Sequence, residues 1–401
     1  MIIATIYING KRRAALLLLV FVSVITSNCV DEFDIQTENF ESILVVNTSI
    51  TNELKNQKVL LSRTFKFEEN GPSAEQGATV RISDNNVDYI FEEVSPGVYI
   101  SIDEFSAISG RRYQLSITTT DGTSYISDTE TLPTENSSIT KVTPVQMVNN
   151  NGVEGVGILV DSFDPTGSSV YYRYQYEETY KIVARFWVPV DLTTSFEFVD
   201  RPDGQEICFN SRASNSIIIT DTRSQEEDRV NDFLIRFIEA EDISVAERYS
   251  ILVRQIVQSR EAYGFYQTLS NFSESESLFS QVQPGFVSGN IISEKNRNER
   301  VLGFFEVAAV SQERIFFDRE DIINDLPRFS PGCDRIAPAQ SASESLEEFE
   351  RRLQDLIRSG NVKFLEEQRG EQDEGTFVFV PRGCGDCSVF GSSAVPSFWV
   401  D

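Results

Sequence analysis

The sequence predicts a mainly β protein. An N-terminal immunoglobulin-like sandwich is expected over residues 38–135, followed over 136–401 by a larger β-rich, fibronectin-like domain with helical segments near 259–273 and 345–359. Three observations predict this. Short apolar and β-branched runs recur about every ten residues between Gly, Pro, Asn and Asp turns, the spacing of antiparallel sandwiches. Helical periodicity is confined to two stretches. A chain of 401 residues with 40% hydrophobic and 24% charged side chains has the balance and length of a globular protein with more than one domain.

The first 28 residues read as an address. Lys11, Arg12 and Arg13 precede the apolar run Ala14 to Ile25, broken only by Ser23, and Thr26, Ser27 and Asn28 lead into Cys29. Such a run is short of the ~20 residues that a membrane-spanning helix needs, so a secretory signal is expected over 1–28. The segment resembles a bacterial lipobox, with Asn28 in place of the usual small residue. That resemblance makes Cys29 the lipid-attachment residue and the first residue of the mature protein. The alternative is an ordinary signal peptide that leaves Cys29 as a thiol. Residues 29–37 form an acidic tether, in which Val30-Asp31-Glu32-Phe33-Asp34 resembles the surface-export signals of Bacteroidota lipoproteins; a merely solvated tether is the other reading.

From Ile43 the pattern is β. Ile43 to Val46 and Val59 to Leu61 are apolar runs, and period-two alternation begins at Gly77-Ala78-Thr79-Val80. Asp84-Asn85-Asn86, Ser95-Pro96-Gly97 and Ser109-Gly110 punctuate the next strands. Tyr113, Leu115 and Ile117 then alternate up to Asp121-Gly122, a strong hairpin turn, and Tyr125 starts the return strand. Leu132-Pro133-Thr134 reads as a linker. A second β region starts near Lys141, where Val156 to Val160 and Val170 to Tyr180 flank the turn Asp161 to Gly167 as in a hairpin. Ile217 to Ile219 and Tyr249 to Val257 are further strands, the latter central.

Two segments switch to helical spacing. Ala262, Phe265, Leu269 and Phe272 follow Ser259, a suitable N-cap. Leu346, Phe349, Leu353, Leu356 and Ile357 form one apolar face, Ser345 and Glu348 form a capping box, and Gly360 stands just past the end. The small and polar run 337–343 leading into this helix suggests an insertion packed on the sandwich.

The chain contains no histidine, and 62 Asp+Glu face 35 Lys+Arg. Ser-His-Asp and Cys-His nucleophiles, an imidazole base and His-ligated metals are therefore excluded. A net charge of -27 argues against nucleic acid, since phosphate contacts need clustered cations. Phosphate-binding and nucleophile-elbow glycine motifs are missing too. No catalytic residue, metal or cofactor is expected, and the protein is not expected to be an enzyme. Asp161 and Asp164 share a loop, but a solvated turn suits them better than a Ca²⁺ site without EF-hand spacing. A hydrolase built on two of the many carboxylates is the remaining catalytic alternative.

Tyr172, Tyr174 and Tyr176 line one face of a strand. They could stack on a sugar ring, although burial against an opposing sheet is the commoner use. With Cys29 lipidated, Cys208, Cys333, Cys384 and Cys387 remain, an even number in an oxidising compartment. Two disulfides are expected, with three pairings open. A four-cysteine zinc site would need a second close pair beside Cys384-Gly-Asp-Cys387, and a redox pair is the other alternative.

Several stretches together carry a resemblance: Tyr249-Ser-Ile-Leu-Val-Arg-Gln255, Glu261-Ala-Tyr-Gly-Phe265, Gly289-Asn290-Ile291, Val301-Leu-Gly-Phe-Phe305 and the C-terminal Cys384 to Cys387 with Pro396 to Trp399. With Leu44 to Val46, Gly97-Val98-Tyr99 and the Tyr113 to Gly122 hairpin in order before them, the mature chain resembles the Bacteroidota lipoprotein family labelled domain of unknown function 4249. The resemblance implies an outer-membrane lipoprotein, with lipid attached at Cys29 and a TonB-dependent outer-membrane receptor as partner in nutrient uptake. It supplies no catalytic residues. A surface adhesion or scaffold module is the alternative that the acidic sandwich itself allows.

Overall fold

The computed structural model describes residues 41–66, 69, 71–133, 137–274, 287–329, 332–369 and 375–401. Cys29, the signal segment 1–28 and the tether 29–37 lie outside the described residues. The protein is mainly β, with 47% strand and 12% helix. Residues 43–64 and 72–401 form one compact unit, which holds every element below. Of the other unit, 1–42 with 65–71, the described part includes a tight turn in which Lys66 N donates to Glu69 Oε2.

The N-terminal strands are β1 (Leu44–Thr51), β2 (Lys58–Arg63), β3 (Ser73–Ala74), β4 (Thr79–Ser83), β5 (Asp88–Ser95), β6 (Val98–Ser101), β7 (Arg112–Thr118), β8 (Ser124–Ser127) and β9 (Glu130–Thr131). Their alternation is that of the sequence: Val80 and Ile82, or Tyr113, Leu115 and Ile117, are buried while their neighbours are not. Asp121 closes the expected β7–β8 hairpin by accepting from Thr119 Oγ1 and Thr123 N, with Gly122 at φ 82°.

After residues 134–136 come β10 (Ser138–Val148), β11 (Glu154–Phe163), β12 (Tyr171–Val183), β13 (Val190–Leu192), β14 (Phe198–Asp200), β15 (Ile207–Ala213), β16 (Ile218–Asp221), β17 (Arg229–Glu239) and β18 (Arg248–Val257). Helix α1 (Arg260–Glu274), β19 (Ile291–Ser293), β20 (Val301–Asp318) and the short α2 (Arg319–Ile322) follow. The chain ends with α3 (Leu346–Arg358), β21 (Val362–Arg369), β22 (Gly375–Pro381) and the one-turn α4 (Arg382–Gly385).

Fifteen of the described strands lie in one sheet, whose main path is β15-β12-β18-β20-β1-β2-β6-β5-β4-β7-β8-β19. The join is β20, an 18-residue strand. Its first half pairs in parallel with β1, Leu44 opposite Val301 through Thr51 opposite Ala308, and its second half pairs antiparallel with β18. The sheet thus runs without a break from the N-terminal strands into those beyond residue 136, and buried side chains from Leu44 to Cys387 form one contiguous apolar cluster. The three-stranded sheet β10-β11-β17 packs against it, Phe233 of β17 lying 5.4 Å from the ring of Tyr174. As expected, β18 is central, between β12 and β20.

Two expectations change. The turn Asp161 to Gly167 does not close a hairpin. β11 pairs with β10 and β17 while β12 pairs with β15, β16 and β18, so the turn carries the chain from one sheet to the other. Alternation reveals that two strands exist but not which partners they take. Helix α3, with the expected Ser345–Glu348 capping box and Gly360 at φ 66°, packs on the β21–β22 hairpin rather than on the main sandwich. Leu353 joins Leu192, Phe364 and Phe379 in a separate small core.

Candidate functional site

The tyrosine stripe is core. Tyr172, Tyr174 and Tyr176 are all buried, on the face of β12 that meets the three-stranded sheet. Tyr172 Oη donates to Asp228 Oδ1 and to Ser169 O, and Tyr174 Oη donates to Gln255 Oε1. Burial raises both phenols above their ordinary values. Asp164 is a turn organiser: its carboxylate accepts from the backbone N–H groups of Thr166, Ser168 and Ser169. Burial acts to raise its pKa, and the bonds from Thr166 and Ser169 win and lower it. Asp161 accepts from Asp232 N on β17. Among the described residues no three acidic or cysteine side chains are grouped to hold a metal ion.

The four cysteines form Cys208–Cys387 and Cys333–Cys384. The Cys-x-x-Cys pair is therefore split between two bridges that tie α4 and its flank to β15 and to the loop before α3. Cys208 and Cys387 are fully buried.

The opposite face of β12 carries a cleft. Helix α1 is started by Ser259, whose Oγ accepts from Ala262 N at 3.1 Å. Tyr263 then donates to Asp221 Oδ2 at 3.1 Å and rests 5.0 Å from the Tyr171 ring, while Phe265 lies 5.6 Å from Phe304 of β20. These contacts lay the helix across the sheet. Between it, strands β1, β12 and β20 and the loop 214–217 is a cleft of about 350 Å³, the size of a small-ligand site.

One lining residue, Arg173, belongs to a buried ion pair. Arg173 of β12 and Glu306 of β20 meet, Nη2 to Oε2 at 2.5 Å, with exposures of 6% and 1%. Gln258 Nε2 donates to the other oxygen of Glu306, and the Arg173 guanidinium lies 4.3 Å from the centre of the Tyr266 ring. Burial alone would lower the pKa of Arg173, and the carboxylate beside it turns the shift upward. Burial likewise pushes Tyr266 up to about 12. Arg173 Nε and Gln258 Oε1 are buried without a hydrogen-bond partner.

On the other side of α1 lies an acidic cleft of about 450 Å³, bordered by Asp128, Glu130, Glu261 and Asn290 and sharing Phe265 and Phe304 with the first. Burial raises Glu130 to about 7. The amide of Asn290, which donates to it at 3.0 Å, opposes this, and repulsion from Glu261, Asp128 and Glu306 adds to it.

Sequence reasoning missed Arg173, Glu306, Gln258 and Tyr266. A signal was present: Arg173 stands inside the aromatic run Val170 to Tyr176, and Glu306 is the only charge in Val301 to Val310. Opposite charges embedded in two apolar strands point to a buried pair.

No curated protein matches the chain. Among solved structures, a DUF4785 family protein from Legionella pneumophila is similar at 8% identity over 53% of this chain and 51% of that one. The chain thus spans about half of that protein's length, with a TM-score of 0.17. A family model described as Domain of unknown function (DUF4249) matches residues 30–314, more than half of the 401 residues, and the chain belongs to that family.

Proposed function

We propose that the protein is a non-enzymatic binding accessory of a TonB-dependent receptor in nutrient uptake, lipid-anchored through Cys29 in the outer membrane and exposed at the cell surface. The observation that carries the binding role is the cleft under α1. The one cation that lines it, Arg173, is neutralised by the buried Glu306 behind it, and Asn47, Gln175, Asn215 and Ser216 add polar side chains to its wall. That arrangement suits holding a ligand rather than transforming one. The basic n-region, the short apolar run and Cys29 support the anchor, and the resemblance described above supports the partner.

The test is a pull-down of the tagged full chain from gently solubilised outer membranes, read together with intact mass of the membrane form. The expected results are co-purification of a TonB-dependent receptor, loss of residues 1–28 and a diacyl adduct at Cys29. An adhesin would instead bind matrix surfaces without a receptor. If no receptor is recovered and deletion leaves uptake unchanged for every nutrient tested, the accessory role is wrong.

One observation favours a second reading. Glu130, raised to about 7 beside Glu261, has the protonation of a general acid, as a carboxylate hydrolase requires. Turnover of glycans by the purified protein, abolished in Glu130→Gln, would establish that reading in place of the first.

A further inference from the structure

We infer that the cleft under α1 binds a neutral, polyhydroxylated ring, a saccharide of one or two units. This rests on the proposed binding role and names its ligand class. Asn47 of β1, Gln175 of β12, and Asn215 and Ser216 before β16 all line the cleft and are exposed. Among the described residues none of the four makes a side-chain hydrogen bond within the chain. Four uncommitted amide and hydroxyl groups around one small cleft offer both donors and acceptors, as hydroxyl groups need and as a purely apolar ligand does not.

Charge narrows the class. The cation in the cleft, Arg173, is already neutralised by Glu306 at 2.5 Å, so an anion gains no free counter-charge there. It would also meet a chain of net charge -27. A cation would be drawn instead to the carboxylates on the far side of α1, around Glu130 and Glu261. The lining is otherwise largely apolar and includes Ile217, Leu269, Phe265 and Phe304. A sugar ring matches this mixture: hydroxyls at its edge and C–H groups on its faces, which aromatic and aliphatic side chains cover. The volume of about 350 Å³ is at the small end of ligand sites and limits the occupant to about two rings.

The test uses the full lipid-anchored chain in a zwitterionic detergent that carries no sugar. Isothermal titration with maltose, cellobiose and chitobiose is compared with titration of galacturonate, a ring of the same type bearing a carboxylate. At least one neutral disaccharide should bind with a millimolar or tighter constant, and galacturonate should not. Asn47→Ala with Asn215→Ala should weaken binding about tenfold or more. Both positions are exposed, so the melting temperature should stay unchanged and loss of binding cannot be mistaken for unfolding. Binding untouched by the double variant would place the sugar elsewhere and overturn the inference, as would galacturonate binding equally well. If no disaccharide binds but the receptor co-purifies, the ligand class falls and the accessory role stands. If a disaccharide binds and no receptor is recovered, the reverse holds.

Discussion

Arg173→Met should be among the most destabilising single changes in the protein. Arg173 and Glu306 are 6% and 1% exposed and hydrogen-bonded at 2.5 Å, so removing the guanidinium strands a carboxylate that water barely reaches. Breaking such a pair from one side costs about 3–5 kcal/mol, a large part of the 5–15 kcal/mol that holds a typical domain together. Gln258 still donates to Glu306 in the variant, which places the expected loss near the lower end, about 3 kcal/mol. Glu306→Met should cost as much or more, because it leaves both the guanidinium and the Gln258 amide without an acceptor. In the double variant no charge is buried at this pair, and the thioether at 173 packs against Tyr266 in place of the guanidinium. The residual cost is the orphaned amide, about 1–2 kcal/mol. Urea unfolding of all four proteins, followed by circular dichroism and closed as a double-mutant cycle, measures this directly. A coupling of at least about 2 kcal/mol is expected, with the double variant more stable than either single one. Single losses below about 1 kcal/mol, or additive losses in the double variant, would refute the claim that the pair is a desolvated unit.

Three further outcomes are expected. Cys208→Ser should lower stability by up to about 5 kcal/mol and Cys333→Ser by up to about 4, from the loop-closure entropy of bridges whose ends are 179 and 51 residues apart; melting curves under non-reducing conditions should rank them in that order. Glu130, raised from 4.5 to about 7, binds more protons folded than unfolded between those values, so its stabilisation is present at low pH and lost as pH rises through about 7. Glu130→Gln removes that loss, and its melting temperature relative to wild type should rise between about pH 5 and pH 8; a constant difference would contradict the shift. Gly303→Ala places a Cβ 2.1 Å from Val46 O at a φ of 142°, which should push β20 off β1 at a cost of about 3 kcal/mol, seen as faster amide exchange in both strands.

Much of the local structure was legible. Period-two burial is written into Tyr113, Leu115 and Ile117, the hairpin at Asp121-Gly122 follows from turn chemistry, and the α3 capping box follows from the spacing of Ser345 and Glu348. The burial of Tyr172, Tyr174 and Tyr176 was the favoured reading because an aromatic face on a long strand needs an opposing sheet. The cleft was not legible. Asn47, Arg173, Asn215, Tyr266 and Glu306 are scattered over most of the chain, and each by itself is an ordinary residue of a strand, loop or helix.

Residue type and local spacing were enough for most N-terminal strands, for β11, β12, β16 and β18, for the two long helices, the even cysteine count, the exclusion of imidazole chemistry and the resemblance to the family, but not for β15, β17, β20, β21 or β22. Those that were legible depend on residue type or on spacings within a few turns of chain, where propensity, periodicity and capping act. Which strands pair, the parallel join of β20 to β1 that makes one sheet, the different partners of Cys384 and Cys387, and the packing of α3 on its own hairpin emerge only from packing in three dimensions. These are contacts between segments far apart in the chain. Their selection comes from burying complementary faces together, and alternation within a strand records which face is apolar without recording which other face will cover it.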